Sequence, residues 1–474
     1  MSERHKTEPY KREVTSMERF FRHSPYSIVT MVARIKGEVS ESLLRHAVAQ
    51  VQLRHTNLRL RIVEDEDHVP WFTSEGVGEI PIEIVSRESA DHWIQVVHEA
   101  SRIPFEFDVR PPIRFVLVQS PTESELIILC HHIICDGLSL AYLARDVMRH
   151  LGDSGRSVEP LPDPAPVDRE TIPEDVSMGC VPRFFVNRIN RKWAQDRVLF
   201  DREDYLSINE AYWANVTHRM LTVELTEAQT SALVDRCRRE SVTVNTALTA
   251  AFVGAQHILQ GDRPYHSDIA VAGSLRDRLR EPAGEAMGFF AGVVTPDCRY
   301  DVKREFWDNA RRFHRRITPL YTDKHLFQDP LAWCHLDPSI LEALNFKRLG
   351  GLVPPDSPRR EKLSAFARRD DVVLRLLKRE KMDALDRIVM GTAVTNLTRM
   401  DFPRTYGALE LDRLIMNPGG AFPLTNVHLV LGAVTCSGKL SLILEYAEEA
   451  TEPETMEQIR DQAMVFLLGE SGSN

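Results

Sequence analysis

The unbroken apolar run Leu126-Ile127-Ile128-Leu129-Cys130, closed by the turn pair Asp136-Gly137, constrains this chain more than any other feature. A short continuous apolar run bounded by a turn signal reads as a buried strand. The segment that follows, residues 138–150, repeats apolar side chains at Leu140, Leu143, Ala144, Val147 and Met148, which is helical spacing. A strand, a tight turn and a helix in that order predict an α/β fold. Two histidines, His131 and His132, sit at the strand end, where a rigid scaffold can hold a reacting group against a cavity. Side chains alternate along a strand, so the two rings face opposite ways and make no bidentate metal site. No metal is expected. A histidine titrates near neutral pH and can take a proton from a nucleophile and later return it. Asp136, across the turn, either orients an imidazole or pairs with an arginine to brace the loop.

The rest of the chain arranges itself around this unit. Residues 26–35 read as a strand, Ser40 caps a helix carrying Leu43, Leu44, Ala47, Val48 and Val51, and residues 114–118 are strand-like. Residues 1–152 therefore form a first α/β half. Pro160, Pro162, Pro164, Pro166 and Pro173 forbid regular helix and predict an extended crossover, which begins a linking segment over 153–215. A second half, 216–474, opens with a strand near 220–223. Thr226 and Asn245 are expected to cap two helices. Strands are expected over 268–272, 388–395, 427–434 and 440–446, and a last helix from about Glu454.

A net charge of −10 argues against a nucleic-acid surface, which needs a basic face. No apolar run reaches membrane-spanning length, and residues 1–12 are charged, so no signal peptide is expected. The seven cysteines lack CxxC spacing and read as reduced thiols of a cytoplasmic protein. Cys130 and Cys135, although they flank the histidines, read as small buried hydrophobes.

His131-His132-x-x-x-Asp136-Gly137 resembles the HHxxxDG signature of the thioester-dependent acyltransferase superfamily. That group includes condensation domains of nonribosomal peptide synthetases, plant BAHD acyltransferases, chloramphenicol acetyltransferase and polyketide-associated lipid acyltransferases. Arg54-His55-Thr56-Asn57-Leu58-Arg59 is similar to the RHxxLR element of condensation domains. Met287-Gly288-Phe289-Phe290, downstream of Ser274-Leu275-Arg276-Asp277-Arg278, is similar to their IGxF segment. The plant DFGWG element is missing. Val394-Thr395-Asn396-Leu397-Thr398-Arg399, with Tyr406-Gly407 after it, resembles the strand and loop of free-standing O-acyltransferases.

The resemblance implies two chloramphenicol-acetyltransferase-like halves in a V-shaped pseudo-dimer, with the active-site tunnel between them. It implies His132 as general base, His131 in support, backbone N–H groups near Gly137 at the oxyanion, and Asp136 as the buried partner of an arginine. Arg278 is the first choice for that arginine and Arg276 the second, with Arg54 and Arg59 also considered. Asn396 is a candidate substrate contact, equally readable as a satisfied strand residue. The leading function is a free-standing acyltransferase that moves an acyl group from acyl-CoA or a phosphopantetheine-linked carrier thioester to an alcohol, in lipid or secondary metabolism. The alternative is a stand-alone condensation enzyme that joins a carrier-bound substrate to an amine. An epimerase needs a second catalytic acid that the sequence does not place. Expected partners are the acyl donor, an alcohol or amine acceptor and an acyl carrier protein, with no tightly bound cofactor; the chain is expected to be a monomer.

Three tempting features read otherwise. Residues 432–439 echo a phosphate-binding loop but have Leu440 where Ser or Thr belongs, and Ser437-Gly438 predicts a hairpin turn. Residues 183–197 mix Phe184, Phe185, Ile189 and Trp193 with basic residues at helical spacing, which suits either a peripheral membrane contact or, more commonly, packing across the halves. The basic stretch 359–381 suits coenzyme A phosphates or an acidic carrier, with a solvated helix face as the default.

Overall fold

A computed structural model describes residues 9–261, 263–379, 391–420 and 429–469. Among them the strands are, in chain order, β1 (Lys11–Glu13), β2 (Ile28–Lys36), β3 (Arg61–Glu64), β4 (Pro70–Thr73), β5 (Ile82–Ser86), β6 (Ile113–Gln119), β7 (Glu123–His131) and β8 (His218–Glu224). They continue as β9 (Ile269–Ser274), β10 (Ala291–Val294), β11 (Thr392–Met400), β12 (Thr405–Tyr406), β13 (Leu409–Asn417), β14 (Leu429–Cys436) and β15 (Lys439–Ala447). The helices are α1 (Ser16–Arg22), α2 (Glu41–Arg54), α3 (His92–Ser101), α4 (Gly137–Gly152), α5 (Cys180–Gln195), α6 (Arg202–Asn215), α7 (Glu227–Arg239) and α8 (Val244–Gln260). After them come α9 (Phe306–Ile317), α10 (Asp323–Leu326), α11 (Gln328–His335), α12 (Pro338–Leu349), α13 (Arg360–Arg368), α14 (Val372–Arg379) and α15 (Pro453–Leu468).

Two six-stranded mixed sheets organise the chain, in the orders β12-β13-β2-β7-β6-β5 and β10-β9-β11-β14-β15-β8. The apolar run lies in β7, which pairs antiparallel with β2 on one side and β6 on the other, and every residue from Ser124 to His131 is buried. Such a strand must be apolar nearly throughout, because neither face meets water. In the second sheet β11 is the parallel centre, between β9 and β14. Ser437 (φ 52°) and Gly438 (φ 76°) form the turn between β14 and β15, as their sequence indicates.

Two expectations need correction. Thr243, not Asn245, caps α8: its Oγ1 accepts the Thr246 N–H at 3.1 Å, and Asn245 is already inside the first turn. The 216–474 half is also not self-contained. After β11 the chain leaves the second sheet, adds β12 and β13 to the edge of the first beside β2, and returns as β14. An edge strand offers unpaired N–H and C=O groups, and β13 satisfies those of β2 through seven paired positions. The expected strands at 388–395 and 427–434 are found only over 392–400 and 429–436; residues 388–390 and 427–428 lie outside the described residues.

The exchange brings two backbones unusually close. A Cβ placed on Gly432 of β14 would sit 2.2 Å from the Met416 carbonyl oxygen of β13, so only glycine fits there. Charges tie the same seam. Glu224 of β8 receives Arg34 of β2 at 2.7 Å and Arg413 of β13 at 3.2 Å. Further along, Arg19 and Arg22 of α1 both reach the buried Glu342 of α12, at 3.0 and 3.2 Å. Burial opposes ionisation of Glu342, but the two guanidinium groups hold its carboxyl down at about 2.

Gly432→Ala is expected to destabilise the fold by about 1–3 kcal/mol, the usual cost of forcing atoms into a packed interior. Chemical denaturation of the variant measures it; an unchanged midpoint would mean that the two strands are not held this closely.

Candidate active site

The turn between β7 and α4 holds the two histidines in unlike surroundings. His131 is fully buried; its Nε2–H donates to the Ser24 carbonyl at 3.1 Å and its Nδ1 accepts the Ile133 N–H at 3.3 Å. With both nitrogens satisfied by backbone, its ring is a neutral strut, and burial pushes its pKa down to about 3. His132 faces the other way, as strand alternation requires. Its Nδ1 lies 3.1 Å from the Cys135 carbonyl, to which it donates. That bond fixes the tautomer and leaves the Nε2 lone pair as the basic position. Burial lowers the His132 pKa, partly offset by the Cys135 carbonyl, the Asp136 charge and the Pro418 carbonyl. The ring is therefore neutral at pH 7, the state a general base needs. Phe21 of α1 and Phe289 flank it, with centroids 5.0 and 5.2 Å away. Pro418, which follows β13, is at the site because that strand has crossed to the first sheet.

Asp136 does two jobs at once. As N-cap of α4 its Oδ1 accepts the Ser139 N–H at 2.7 Å, closing a capping box. The same oxygen receives Arg276 Nη2 at 2.7 Å, and Oδ2 receives the Phe290 N–H at 3.1 Å. Arg276 in turn donates Nη1 to the Gly284 and Ala286 carbonyls, at 2.9 and 2.8 Å. The choice of Arg278 is thus corrected: Arg278 pairs with Asp323, 2.5 Å away, and Arg276 is the partner of Asp136. Residues 275–279 form a helical turn, with Arg278 and Leu279 N–H groups on the Leu275 carbonyl. At about 100° per residue, positions 276 and 278 point to nearly opposite sides, so only one can face the motif.

A cavity of about 1380 Å³ opens at the start of α4, lined by Asp136, Gly137, Leu138 and Tyr142 from the first half and by Asn245 and Asn396, among others, from the second. Gly137 and Leu138 sit in the first helical turn, whose N–H groups have no acceptor further back in the helix, and such groups stabilise negative charge. A Cβ on Gly137 would lie 2.9 Å from Leu397 Cδ2 of β11, so the glycine also lets the halves approach. Asn396 reaches the cavity, but its Oδ1 accepts the Thr398 N–H at 2.7 Å, at a bulge where Thr398 has φ 63°. Its Nδ2 and the second lone pair of Oδ1 remain for a ligand.

Arg54 and His55 do not enter this cavity. They hold Asp146 of α4, at 2.8 and 3.2 Å, and Asn57 donates to the Met287 carbonyl at 2.9 Å. In the basic stretch 359–381, Arg359 pairs with Asp201, and Arg369 with Asp196 and Asp371. Those charges are spent inside the chain; Lys381 lies outside the described residues. Both flanking cysteines are fully buried, and burial raises the Cys135 thiol well above its ordinary range, away from nucleophilic use. Sequence reasoning missed Ser139, Phe21, Phe289 and Pro418. The Asp136-x-x-Ser139 capping pattern pointed to Ser139, and Phe289 lies in the Met287-Gly288-Phe289-Phe290 segment singled out above without a role at the site; nothing local marks Phe21 or Pro418.

Asp136→Asn is expected to leave Arg276 buried without its anion and to cost about 3–5 kcal/mol, read as a lower Tm; an unchanged Tm would count against the pairing. Acid is expected to act through the buried histidines. Burial, with the Arg22 charge, also pushes His23 down to about 3. Below about pH 6.5 the unfolded chain binds protons that these rings refuse when folded, so stability is complete above that pH and is lost as pH falls toward 3. From pH 6.5 to 5 each ring withdraws about 2 kcal/mol. Thermal melts between pH 7.5 and 5.0 test this, and a flat Tm would show that the rings are not held neutral.

Residues 11–165 match the condensation-domain family. Cyclosporin synthetase from Tolypocladium inflatum is 25% identical over 288 residues, 58% of this chain, which spans only 2% of that synthetase's length. The trichothecene 15-O-acetyltransferase of Fusarium sporotrichioides has a similar fold, with TM-score 0.61 at 12% identity over 97% of this chain and 96% of that one. So does the first condensation domain of the calcium-dependent antibiotic synthetase, with TM-score 0.59 at 12% identity over 98% of both chains. The family match covers residues 11–165, the segment that holds the intact His131-His132-x-x-x-Asp136-Gly137 motif, and the likeness in fold runs along nearly the whole chain.

Proposed function

We propose that this protein transfers an acyl group from a pantetheine thioester, carried by coenzyme A or a carrier protein, to an alcohol. The observation that supports this reading above all is the fixed tautomer of His132, with Nδ1–H on the Cys135 carbonyl and Nε2 left basic, on the loop whose Asp136 and Gly137 line a large cavity. In the reaction Nε2 takes the proton of the acceptor hydroxyl as its oxygen attacks the thioester carbonyl. Negative charge gathers on that carbonyl oxygen, next to the first-turn N–H groups of Gly137 and Leu138. The tetrahedral centre collapses, the C–S bond breaks, and the thiolate receives the proton from the imidazolium. The Asp136 charge, and the carbonyls of Cys135 and Pro418, favour the charged ring while it holds that proton. Phe21 and Phe289 pack against the ring and give it apolar surroundings. Asp136 and Arg276 position the loop and touch no reacting atom.

Amide formation with an amine acceptor uses the same groups, and the likeness to a peptide synthetase over 288 residues favours it as the second reading. Thiol release from acyl-CoAs of increasing chain length, with alcohols and amines offered separately, tests both. Acceptor-dependent release is expected, and His132→Ala should lower it at least about 100-fold with the Tm retained. Near-full activity in that variant would remove His132 from the chemistry. An amide formed in preference to an ester would select the second reading.

A further inference from the structure

Strands β9 and β11 run side by side for a few residues and then part. Their parallel pairing ends at Val271 with Val394; beyond it β9 keeps β10 and β11 keeps β14. Ala272, Gly273, Ser274, Thr395 and Asn396 line the large cavity from the two sides of that parting. Alternation along each strand fixes which backbone groups face the gap. Thr392 N–H bonds the Asp268 carbonyl beside β9, so Val394 and Asn396 turn their backbone groups to the same side. Leu275 N–H bonds the Phe290 carbonyl beside β10, so Gly273 also faces β10, while Ala272 and Ser274 face β11. A continued ladder would join Asn396 N–H to the Ala272 carbonyl and Ser274 N–H to the Asn396 carbonyl, and neither bond forms. Tyr321 has taken the first place: its Oη donates to the Ala272 carbonyl at 3.1 Å and accepts Asn245 Nδ2 at 3.3 Å. Among the described residues, the N–H and carbonyl of Asn396 and the N–H of Ser274 have no partner within the chain.

We propose that this gap is a subsite for a secondary amide carried in an extended chain, held by strand edges rather than by side chains. A trans amide points its N–H and C=O in opposite directions. One amide lying in the gap therefore meets both edges: its N–H donates to the Asn396 carbonyl of β11, and its C=O accepts the Ser274 N–H of β9. Asn396 N–H remains for a second carbonyl. Strand edges capture extended ligands in this way because their donors and acceptors are already aimed. An ester lacks the donor, and an alkyl chain lacks both groups. The inference rests on the proposed acyl transfer, whose substrates offer two sources of such an amide: the arm of a pantetheine thioester, and an acceptor that itself contains an amide.

Thiol release from matched pairs of substrates tests it. On the donor side, acyl thioesters of N-acetylcysteamine are compared with those of 2-mercaptoethyl acetate, in which an ester oxygen replaces the N–H. On the acceptor side, N-acetylethanolamine is compared with 2-hydroxyethyl acetate. In one pair the amide is expected to react about tenfold better in kcat/KM, mostly through KM, because the ester loses a hydrogen bond and sets an oxygen against the Asn396 carbonyl. Discrimination on the donor side gives the gap to the thioester arm, and on the acceptor side to the acceptor. Ser274→Pro removes the N–H without breaking a bond to β10 and should shrink the ratio to about threefold. Ser274→Ala keeps the N–H, loses only the Oγ contact with the Arg276 N–H (3.3 Å), and should retain the ratio. The Tm of each variant verifies folding; if the proline variant does not fold, the matched pairs decide. Equal rates within both pairs would overturn the proposal. No thiol release from any donor would instead remove the acyl-transfer reading. Saturation-transfer NMR with N-acetyl-S-methylcysteamine and its ester counterpart then probes the gap by itself, and equal signals from the two would overturn it.

Discussion

The carboxylate of Asp136 is the point on which the site depends. It ends β7's loop as a helix cap, and it anchors Arg276 and the Phe290 N–H from the other half of the chain. A capping bond is worth about 1 kcal/mol, whereas uncovering a buried guanidinium costs several times that. The link between the halves therefore outweighs the cap in energy, and capping is what aims the carboxylate correctly. Ser139 shares the arrangement: its Oγ lies 2.6 Å from Arg276 Nη2 and accepts the Gly288 N–H at 3.2 Å. The loop bearing Phe289 is thus fastened to the turn bearing His132, so the flanking aromatic ring and the imidazole keep a fixed relation.

A second cluster reinforces the first one step away along α4. Asp146 is gripped by Arg54, His55, Arg145 and Arg149, and Arg145 with Arg54 also reaches Glu285 of the second half. Burial by itself would raise the Asp146 pKa; the hydrogen bond from His55 and the charges of Arg145 and Arg54 drive it far below the usual carboxylate range. Together with the exchange of β13 and the grip of Arg34 and Arg413 on Glu224, the halves are joined by both backbone and charge. Buried ion pairs seldom add net stability over apolar contacts, but they tolerate only one alignment. A cavity whose two walls come from different halves needs that alignment more than it needs additional stability.

Much of the first half was legible because its signals are local. The buried strand, the Asp136-Gly137 turn, the helix over 137–152 and the Ser40 and Thr226 caps depend on residues within a few positions of one another. Helices α9 to α14 were not legible, since their short amphipathic pieces acquire definition only by packing against other elements, α1, α5, α6 and α8 among them. Arg276 and Arg278 illustrate the same limit at single-residue scale. Both are plausible partners for an aspartate far away in sequence, and only the turn at 275–279 decides between them.

The amino-acid sequence by itself determined the β7–turn–α4 unit, the opposed directions of His131 and His132, and a resemblance to the HHxxxDG acyltransferases through a short motif with fixed spacing. These follow from strand alternation and turn chemistry, which act over a handful of residues. Tertiary structure alone decided that β13 crosses to the first sheet and puts Pro418 beside His132, that Phe21 and Phe289 enclose the ring, and that Arg276 completes the junction. Each of these joins residues more than a hundred positions apart, where no local periodicity carries information and the outcome rests on which buried charge and which strand edge finds its partner.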